Sequence, residues 1–324
     1  MKISVVITTY SRNKPAQRAL ESVVNQTYTP NEIIVIEDAS NSGINKWIDD
    51  NYPEVTYIKN EKNLGLTGSR NVGIKIARSE WIAFLDDDDE WMPERLEEQV
   101  QCYQTLKPSE REKLACIQCG VKKINAEGKI TGIQLPLNDG NLKESIMKYG
   151  ASTPSSSFLF RGEALIDIGG FDENLVSGID HDIWMKLAVA GFSTKALKKP
   201  LVIIHQEPIE TMMTNTEKRI KGITQYVEKW TPTFIEWFGA EKGNKYARDY
   251  YVNVIGRLAG NKLANHQFKQ FNLTIKSIWS VFGFDLLLLP KTFNKILKIY
   301  LVERITFIRK IVQKRNMRRH NIYR

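Results

Sequence analysis

Five acids in succession, Asp86, Asp87, Asp88, Asp89 and Glu90, follow the apolar run of "WIAFLDDDDEWMP". Adjacent carboxylates repel one another and raise each other's pKa unless a cation or hydrogen-bond donors offset the charge, so such a run points to something bound. An Asp-x-Asp arrangement at a strand end lets carboxylates share a divalent ion that also bridges the phosphate oxygens of a nucleotide. The competing account is capping: "DEWMPERLEEQV" starts a helix near Pro93, and acids in or before a first turn meet the helix dipole favourably. One capping Asp would serve that purpose and four exceed it, which favours metal-diphosphate binding.

Three further places could carry chemistry. Asp38 in "IEDAS" either caps the helix of "NKWIDD" or accepts the ring N–H of uracil, a donor that cytosine lacks. In "GFDENLVSGIDHDIWMKL", Asp180 and Asp182 stand just before a helical pattern of Ile183, Trp184, Leu187 and Ala188. One of the two could be an N-cap; the other, facing a cleft opposite a metal-bound leaving group, could deprotonate an acceptor hydroxyl. His205, ending the strand "LVIIHQE", is either structural or close to a metal or acceptor. Cys116 and Cys119 in "CIQC" have zinc-knuckle spacing, but no second pair and no nearby histidine follow, so they read as small core residues of a strand.

The elements that must position these residues alternate. "ISVVITTY", "EIIVIEDAS", "VTYIKN" and "WIAFLD" read as strands; "PAQRALESVVNQT", "NKWIDDNY" and "GSRNVGIKIAR" read as helices. Nearly unbroken apolar strands separated by helices imply an α/β fold with a mostly parallel sheet covered on both faces, whose ligands bind outside the carboxyl ends of the strands. Three such ends would then meet on one edge: "TTY" at 8–10, "ED" at 37–38 and "DDDD" at 86–89. From about residue 115 a hairpin around Glu127-Gly128, a strand in "SSSFLF", and a last strand after Pro200 are expected, followed by a largely helical stretch over 215–285 in which Gly239 and Gly243 break the run. The organisation expected is a nucleotide-binding domain over 1–210, a helical region over 211–289 and a basic amphipathic tail helix over 290–324.

The chain of 324 residues has a net charge of +9, but residues 291–324 alone hold 11 Lys and Arg against one acid. That segment's +10 leaves the first 290 residues at −1, so the basic character belongs to the tail and says little about the main domain's ligand. Three cysteines are too few for a disulfide framework and fit a reducing compartment. The N-terminus lacks the apolar run of a signal peptide, and "IWSVFGFDLLLL" falls short of the roughly 20 residues that cross a bilayer.

Taken in order and spacing, "SVVITTYSR", "EIIVIEDAS", "NLGLTGSRNVGI", "WIAFLDDDDEWMPERLE" and "GGFDENLVSGIDHDIWMKL" resemble the bacterial family 2 glycosyltransferases over about residues 1–205. The resemblance implies the GT-A fold, inverting transfer from a nucleotide sugar, usually UDP-linked, and a divalent metal, Mn2+ or Mg2+. It puts Thr8, Tyr10 and Asp38 at the base and Arg70 near the nucleotide. The metal motif maps onto Asp86, Asp87 and Asp88, with Asp88 as direct ligand, Asp86 beside it, Asp86 or Asp87 toward the ribose, and Asp89 or Glu90 at the start of the following helix. The family's Glu-Asp pair reads Ile179-Asp180 here; the Glu is missing, and Asp180 keeps the position of the general base. The acceptor implied is a saccharide hydroxyl, lipid-linked as in surface-polysaccharide assembly, met by a cytoplasmic enzyme peripheral to the inner face of the membrane.

In "TFNKILKIYLVERITFIRKIVQKRNMRRH", Phe293, Ile296, Leu297, Tyr300, Leu301, Ile305, Ile308, Ile311 and Val312 recur at helical intervals among Lys and Arg. Such a helix suits an anionic membrane surface, or packs on its own domain or a partner with a solvated basic face. Competing functions are a sugar nucleotidyltransferase, which would want a Gly-rich basic loop where this chain has "TTYSRNKP", and a noncatalytic membrane-surface or nucleic-acid binder, against which the acid run and Asp180 argue.

Overall fold

The computed structural model describes residues 1–151, 154–206, 215–283 and 288–304. The chain divides into two compact units, Met1–Glu173 with Ile179–Glu207, and Asn174–Gly178 with Pro208–Arg324.

In the first unit, "ISVVITT" forms β1 (Ile3–Thr9), buried at every residue. Each of its Val and Ile side chains contributes about 1.5–3 kcal/mol on burial, and β-branching suits the pleated surface. α1 (Asn13–Val24) follows, with Ala16, Ala19, Leu20 and Val23 buried at helical spacing. The alternation continues through β2 (Glu32–Glu37), α2 (Ile44–Asn51), β3 (Thr56–Lys59), α3 (Gly65–Ile76) and β4 (Trp81–Asp86). α3 seats directly on β1 because Gly73 has no side chain: a Cβ there would lie 2.5 Å from Val6 Cγ1.

The remainder of this unit comprises β5 (Asp89–Trp91), α4 (Arg95–Thr105), α5 (Pro108–Glu112), β6 (Leu114–Asn125), β7 (Ile130–Gln134), β8 (Gly140–Asn141), α6 (Leu142–Tyr149), β9 (Phe158–Arg161), α7 (Gly162–Asp167), α8 (Ile179–Val189) and β10 (Ser193–Gln206). The sheet runs β3-β2-β1-β4-β9-β6-β10-β5, with β7 on β6 and β8 on β10. β1 to β4 are mutually parallel, β9 is antiparallel to both β4 and β6, and β10 is parallel to β6. Six strands therefore share one direction, which is the mixed, mostly parallel sheet expected. Cys116 and Cys119 lie free and buried in β6, as core residues.

Two elements differ from expectation. The last strand starts at Ser193 rather than after Pro200; Pro200 is accommodated where the β6–β10 register shifts, so its missing N–H breaks no regular ladder. The acids Asp89 and Glu90 do not begin a helix. They form β5, antiparallel to Ile203 and Ile204 of β10, and the helix starts only at Arg95.

The second unit is helical: α9 (Thr216–Phe238), α10 (Ala240–Ala264), α11 (Phe268–Phe282) and α12 (Leu288–Arg304). Gly239 ends α9 with φ +82°, whereas Gly243 lies inside α10 rather than breaking the run. The buried faces of α9 (Ile223, Tyr226, Val227, Trp230, Phe234) and α10 (Ala247, Tyr251, Val252, Ile255, Ala259) meet through aromatic pairs such as Tyr226–Tyr250, with centroids 4.8 Å apart. α12 lies against α10, where Gly260 admits it: a Cβ there would stand 2.6 Å from Ile299 Cβ and 2.9 Å from the Ile296 carbonyl. The part of the expected tail helix beyond Arg304 lies outside the described residues. No helix among the described residues is long and apolar enough to cross a membrane.

Candidate active site

Register puts the three strand ends together. Thr8 of β1 pairs with Ile36 of β2 on one side and Asp86 of β4 on the other, so "TTY", "ED" and the acid run emerge on one edge. Between β4 and β5 the run makes a tight turn of Asp87 and Asp88, and each acid meets different surroundings.

Asp87, expected at the nucleotide, faces inward. It accepts hydrogen bonds from Thr9 Oγ1 at 2.7 Å, the Tyr10 N–H at 3.4 Å and Arg12 Nη1 at 3.1 Å. Burial pushes its carboxyl up to about 6 against the pull of Thr9 and Arg12. Arg12 Nη1 also reaches Asp88 Oδ2 at 2.7 Å, and Arg18 Nη2 donates to the Asp88 carbonyl at 3.3 Å. Asp89 is buried and pairs with Ile204 in the sheet. Burial, with Asp86 and Asp88 nearby, raises its pKa well above the usual carboxylate range, as befits an acid in a strand rather than at a helix cap. Glu90 pairs with His205 at 2.9 Å, which gives that histidine a structural partner.

Asp86 belongs to a second cluster. Arg70, on α3, is buried, its guanidinium carbon 5.2 Å from the Phe171 ring centroid and 5.8 Å from that of Phe84. Its Nη2 donates to Asp86 Oδ1 at 2.5 Å and to Ser155 Oγ; its Nη1 reaches Asp180 Oδ1 at 3.4 Å. The Ser155 N–H points to the other Asp180 oxygen, also at 3.4 Å. Asp180 and Asp182 both lie in the first turn of α8, not ahead of it. Asp182 is buried, while the Asp180 side chain keeps 28% exposure. Burial raises the Asp180 pKa, Arg70 lowers it and Asp86 adds to the rise; the net direction is up, which strengthens it as a proton acceptor.

The base-binding candidates are separately disposed. Asp38 does not cap α2, whose N-cap is Gly43; its oxygens accept the Leu64 and Gly65 N–H groups, both at 2.8 Å, and Asn60 Nδ2 at 3.0 Å, fixing the start of α3. Thr8 Oγ1 is buried without a hydrogen-bond partner among the described residues, and the Tyr10 side chain is exposed. Arg12, Arg18 and Ser155 escape sequence reasoning. The signal for the first two was charge: a five-acid run needs cations, and "SRNKPAQR" supplies them.

The family resemblance implies a divalent ion, and the donor set can be tested for it. Asp86 and Asp88 are hard oxygen donors with side chains 28% and 35% exposed. One oxygen of each is held by an arginine, and the other has no protein partner among the described residues. Two such oxygens fit an ion whose remaining positions are filled by phosphate oxygens and water. They do not fit a closed protein cage, and no group of three or more His, Cys, Asp or Glu able to hold an ion occurs among the described residues.

Comparison with known proteins identifies the family and the fold. Residues 4–130 match the model of glycosyl transferase family 2. The chain is 27% identical over 252 residues to a putative colanic acid biosynthesis glycosyl transferase, WcaA, of Escherichia coli, covering 72% of this chain and 82% of that one. It is 30% identical over 195 residues to the uncharacterized glycosyltransferase YwdF of Bacillus subtilis, covering 58% and 68%. Among solved structures, S. aureus TarS 1–349 in complex with UDP-GlcNAc aligns over 95% of this chain and 91% of its own, with TM-score 0.60 and 18% identity. The mannosyltransferase PcManGT from Pyrobaculum calidifontis, in complex with GDP-Man and Mn2+, aligns over 98% and 87%, with TM-score 0.55 and 16% identity. At these identities the two structures establish the GT-A fold alone.

Proposed function

Because the chain belongs to glycosyltransferase family 2, we propose that it transfers a sugar from a UDP-sugar to a hydroxyl of a lipid-linked saccharide, with inversion at the anomeric carbon, in surface-polysaccharide synthesis. The observation that carries this reading is the Arg70 cluster, which ties the strand-end carboxylate Asp86 to Asp180 through one buried guanidinium. A nucleotide-side acid and a proton acceptor are thereby held in fixed relation. The colanic-acid relative supports the polysaccharide setting, and the two solved complexes support a nucleotide-sugar donor.

In this reading Asp180 accepts the proton of the attacking hydroxyl as that oxygen bonds to the anomeric carbon from the face opposite the leaving nucleoside diphosphate. A single displacement converts an α-linked donor into a β-linked product. Asp180 is a fitting base because its side chain keeps 28% exposure and burial raises its pKa, while its contacts with Arg70 Nη1 and the Ser155 N–H are both long at 3.4 Å. Arg70 sets its position, and the Phe84 and Phe171 rings keep Arg70 from swinging out. Asp86 and Asp88 would hold a divalent ion, Mn2+ or Mg2+, which supplies counter-charge to the departing diphosphate when bound. Thr8, whose hydroxyl has no hydrogen-bond partner among the described residues, and Tyr10 flank the base; Asp38 shapes that side of the site through the start of α3. The basic segment from residue 290 onward would bring the enzyme to the inner face of the cytoplasmic membrane, where a lipid-linked acceptor is found.

The test is a screen of UDP-sugars for Mn2+-dependent donor hydrolysis by the full chain. Release of UDP from at least one donor is expected; neither turnover nor binding of any nucleotide sugar would overturn the reading.

A further inference from the structure

We propose that the helical unit docks on an anionic lipid surface through the outward faces of α11 and α12, so that membrane contact reaches back from the basic segment that begins at residue 290 as far as α11. The inference rests on the reading above for its biological setting, and its test measures lipid alone.

Charge is the first observation. Residues 250–324 hold 15 Lys and Arg against two acids, Asp285 and Glu303, so the excess of cations starts in α10. Arg257, Lys269, Lys276, Lys295 and Lys298 have no carboxylate partner among the described residues, and Arg257 and Lys298 stand close enough to Lys295 to oppose its charge. Gathering like charges without counter-ions is unfavourable unless an anion is met from outside.

Exposed apolar side chains are the second observation. α12 turns Thr292, Ile296 and Ile299 toward α10, where Gly260 lets the backbones approach. Away from that contact Phe293 is 63% exposed and Leu297 38%, one turn apart, with exposed Asn294 and Lys298 in the adjoining row. α11 repeats the arrangement: Thr274 and Ile278 are buried, while Phe268, 56% exposed, and Leu273, 38% exposed, share the opposite side with exposed Lys269 and Lys276.

The combination selects the partner. Phe and Leu beside Lys fit the headgroup and acyl boundary, where rings and methyls leave water while ammonium groups reach lipid phosphates. A polyanion such as RNA would meet the cations but leave the apolar side chains without a role. Each lysine near an anionic surface strengthens binding, and the effect weakens as salt screens it.

The experiment is co-sedimentation of the full chain with vesicles of phosphatidylcholine alone or mixed equally with phosphatidylglycerol, without any nucleotide sugar. Wild type should bind the mixed vesicles at least about tenfold more strongly than the neutral ones, with salt weakening the difference. Phe293→Ser with Leu297→Ser, and separately Phe268→Ser with Leu273→Ser, should each lower partition into mixed vesicles by about tenfold or more. Lys269→Gln with Lys276→Gln and Lys298→Gln should reduce the salt dependence. These variants keep the buried contacts with α10, and unchanged thermal unfolding and donor hydrolysis verify that they are folded. Wild-type binding by both apolar double variants would overturn the proposal by assigning all binding to the segment after Arg304. No preference of wild type for anionic vesicles would overturn it as well, and would leave the same face to a protein partner. Donor hydrolysis, scored separately without vesicles, distinguishes either failure from failure of the transferase reading.

Discussion

Arg70 reaches Asp86 with one guanidinium nitrogen at 2.5 Å and Asp180 with the other at 3.4 Å, while buried between Phe84 and Phe171. It joins a residue of β4 to one of α8, 94 positions later in the chain. Replacing Arg70 by Met keeps bulk but leaves two carboxylates facing each other without their cation. Breaking such a pair costs about 3–5 kcal/mol. Chemical denaturation should show a loss of that order, together with loss of transfer; Arg70→Lys, whose single ammonium cannot serve both acids, should recover stability more than turnover.

Asp180→Asn removes the proposed proton acceptor but preserves shape. Transfer should fall by about 10²–10⁴-fold, while UDP affinity measured by calorimetry changes little. The wild-type rate should also fall on the acid side, because a protonated Asp180 cannot accept the hydroxyl proton. Since its pKa is raised, first by burial, that fall begins above the usual carboxylate range. Turnover by Asp180→Asn near that of wild type would remove the residue from the mechanism.

Arg12 bridges Asp87 and Asp88. A metal arriving at Asp88 must share that carboxylate with a guanidinium, so Arg12→Gln should bind Mn2+ alone roughly tenfold more tightly, read by electron paramagnetic resonance of the free ion. Unchanged Mn2+ affinity would show that the two cations do not compete.

Glu37 offers a stability measurement away from the acid run. Burial would raise its pKa, but hydrogen bonds from Ser40, Tyr57 and the Ser42 N–H outweigh it and hold the carboxyl below its ordinary value. A lowered folded-state pKa contributes stability above the unfolded value, near 4.3, that is lost as pH falls through the folded one. Glu37→Gln should therefore cost about 1–3 kcal/mol at neutral pH, and the gap from wild type should narrow in acid.

The sequence made the strand ends legible because period and β-branching mark β1, β2 and β4, and parallel strands must emerge on one edge. The motif also singles out Asp180, which the structure brings beside Arg70 and Ser155. Partners distant in sequence were not. Nothing in "DDDDE" announces that Asp89 and Glu90 pair with a strand more than a hundred residues later; local propensity favours a helix start, and β10 overrides it. Asp38 looks like a cap for the nearest helix, yet the topology presents it with the N–H groups of Leu64 and Gly65 instead. The tail's periodicity runs through α12, which is helical as far as Arg304, but the side resting on α10 is set by Gly260, whose role appears only once two helices touch.

The tight turn of Asp87 and Asp88 leaves the acid run no slack. Asp86 ends one strand, Asp87 is tied to Thr9, Asp88 to Arg12, and Asp89 begins the next strand. Deleting any one aspartate would barely alter the composition, yet every later acid would inherit its neighbour's surroundings, and the pleat of β5 would turn over. The four letters are identical, but their meaning is ordinal: the protein reads them by place, so a gap here is a graver edit than a substitution.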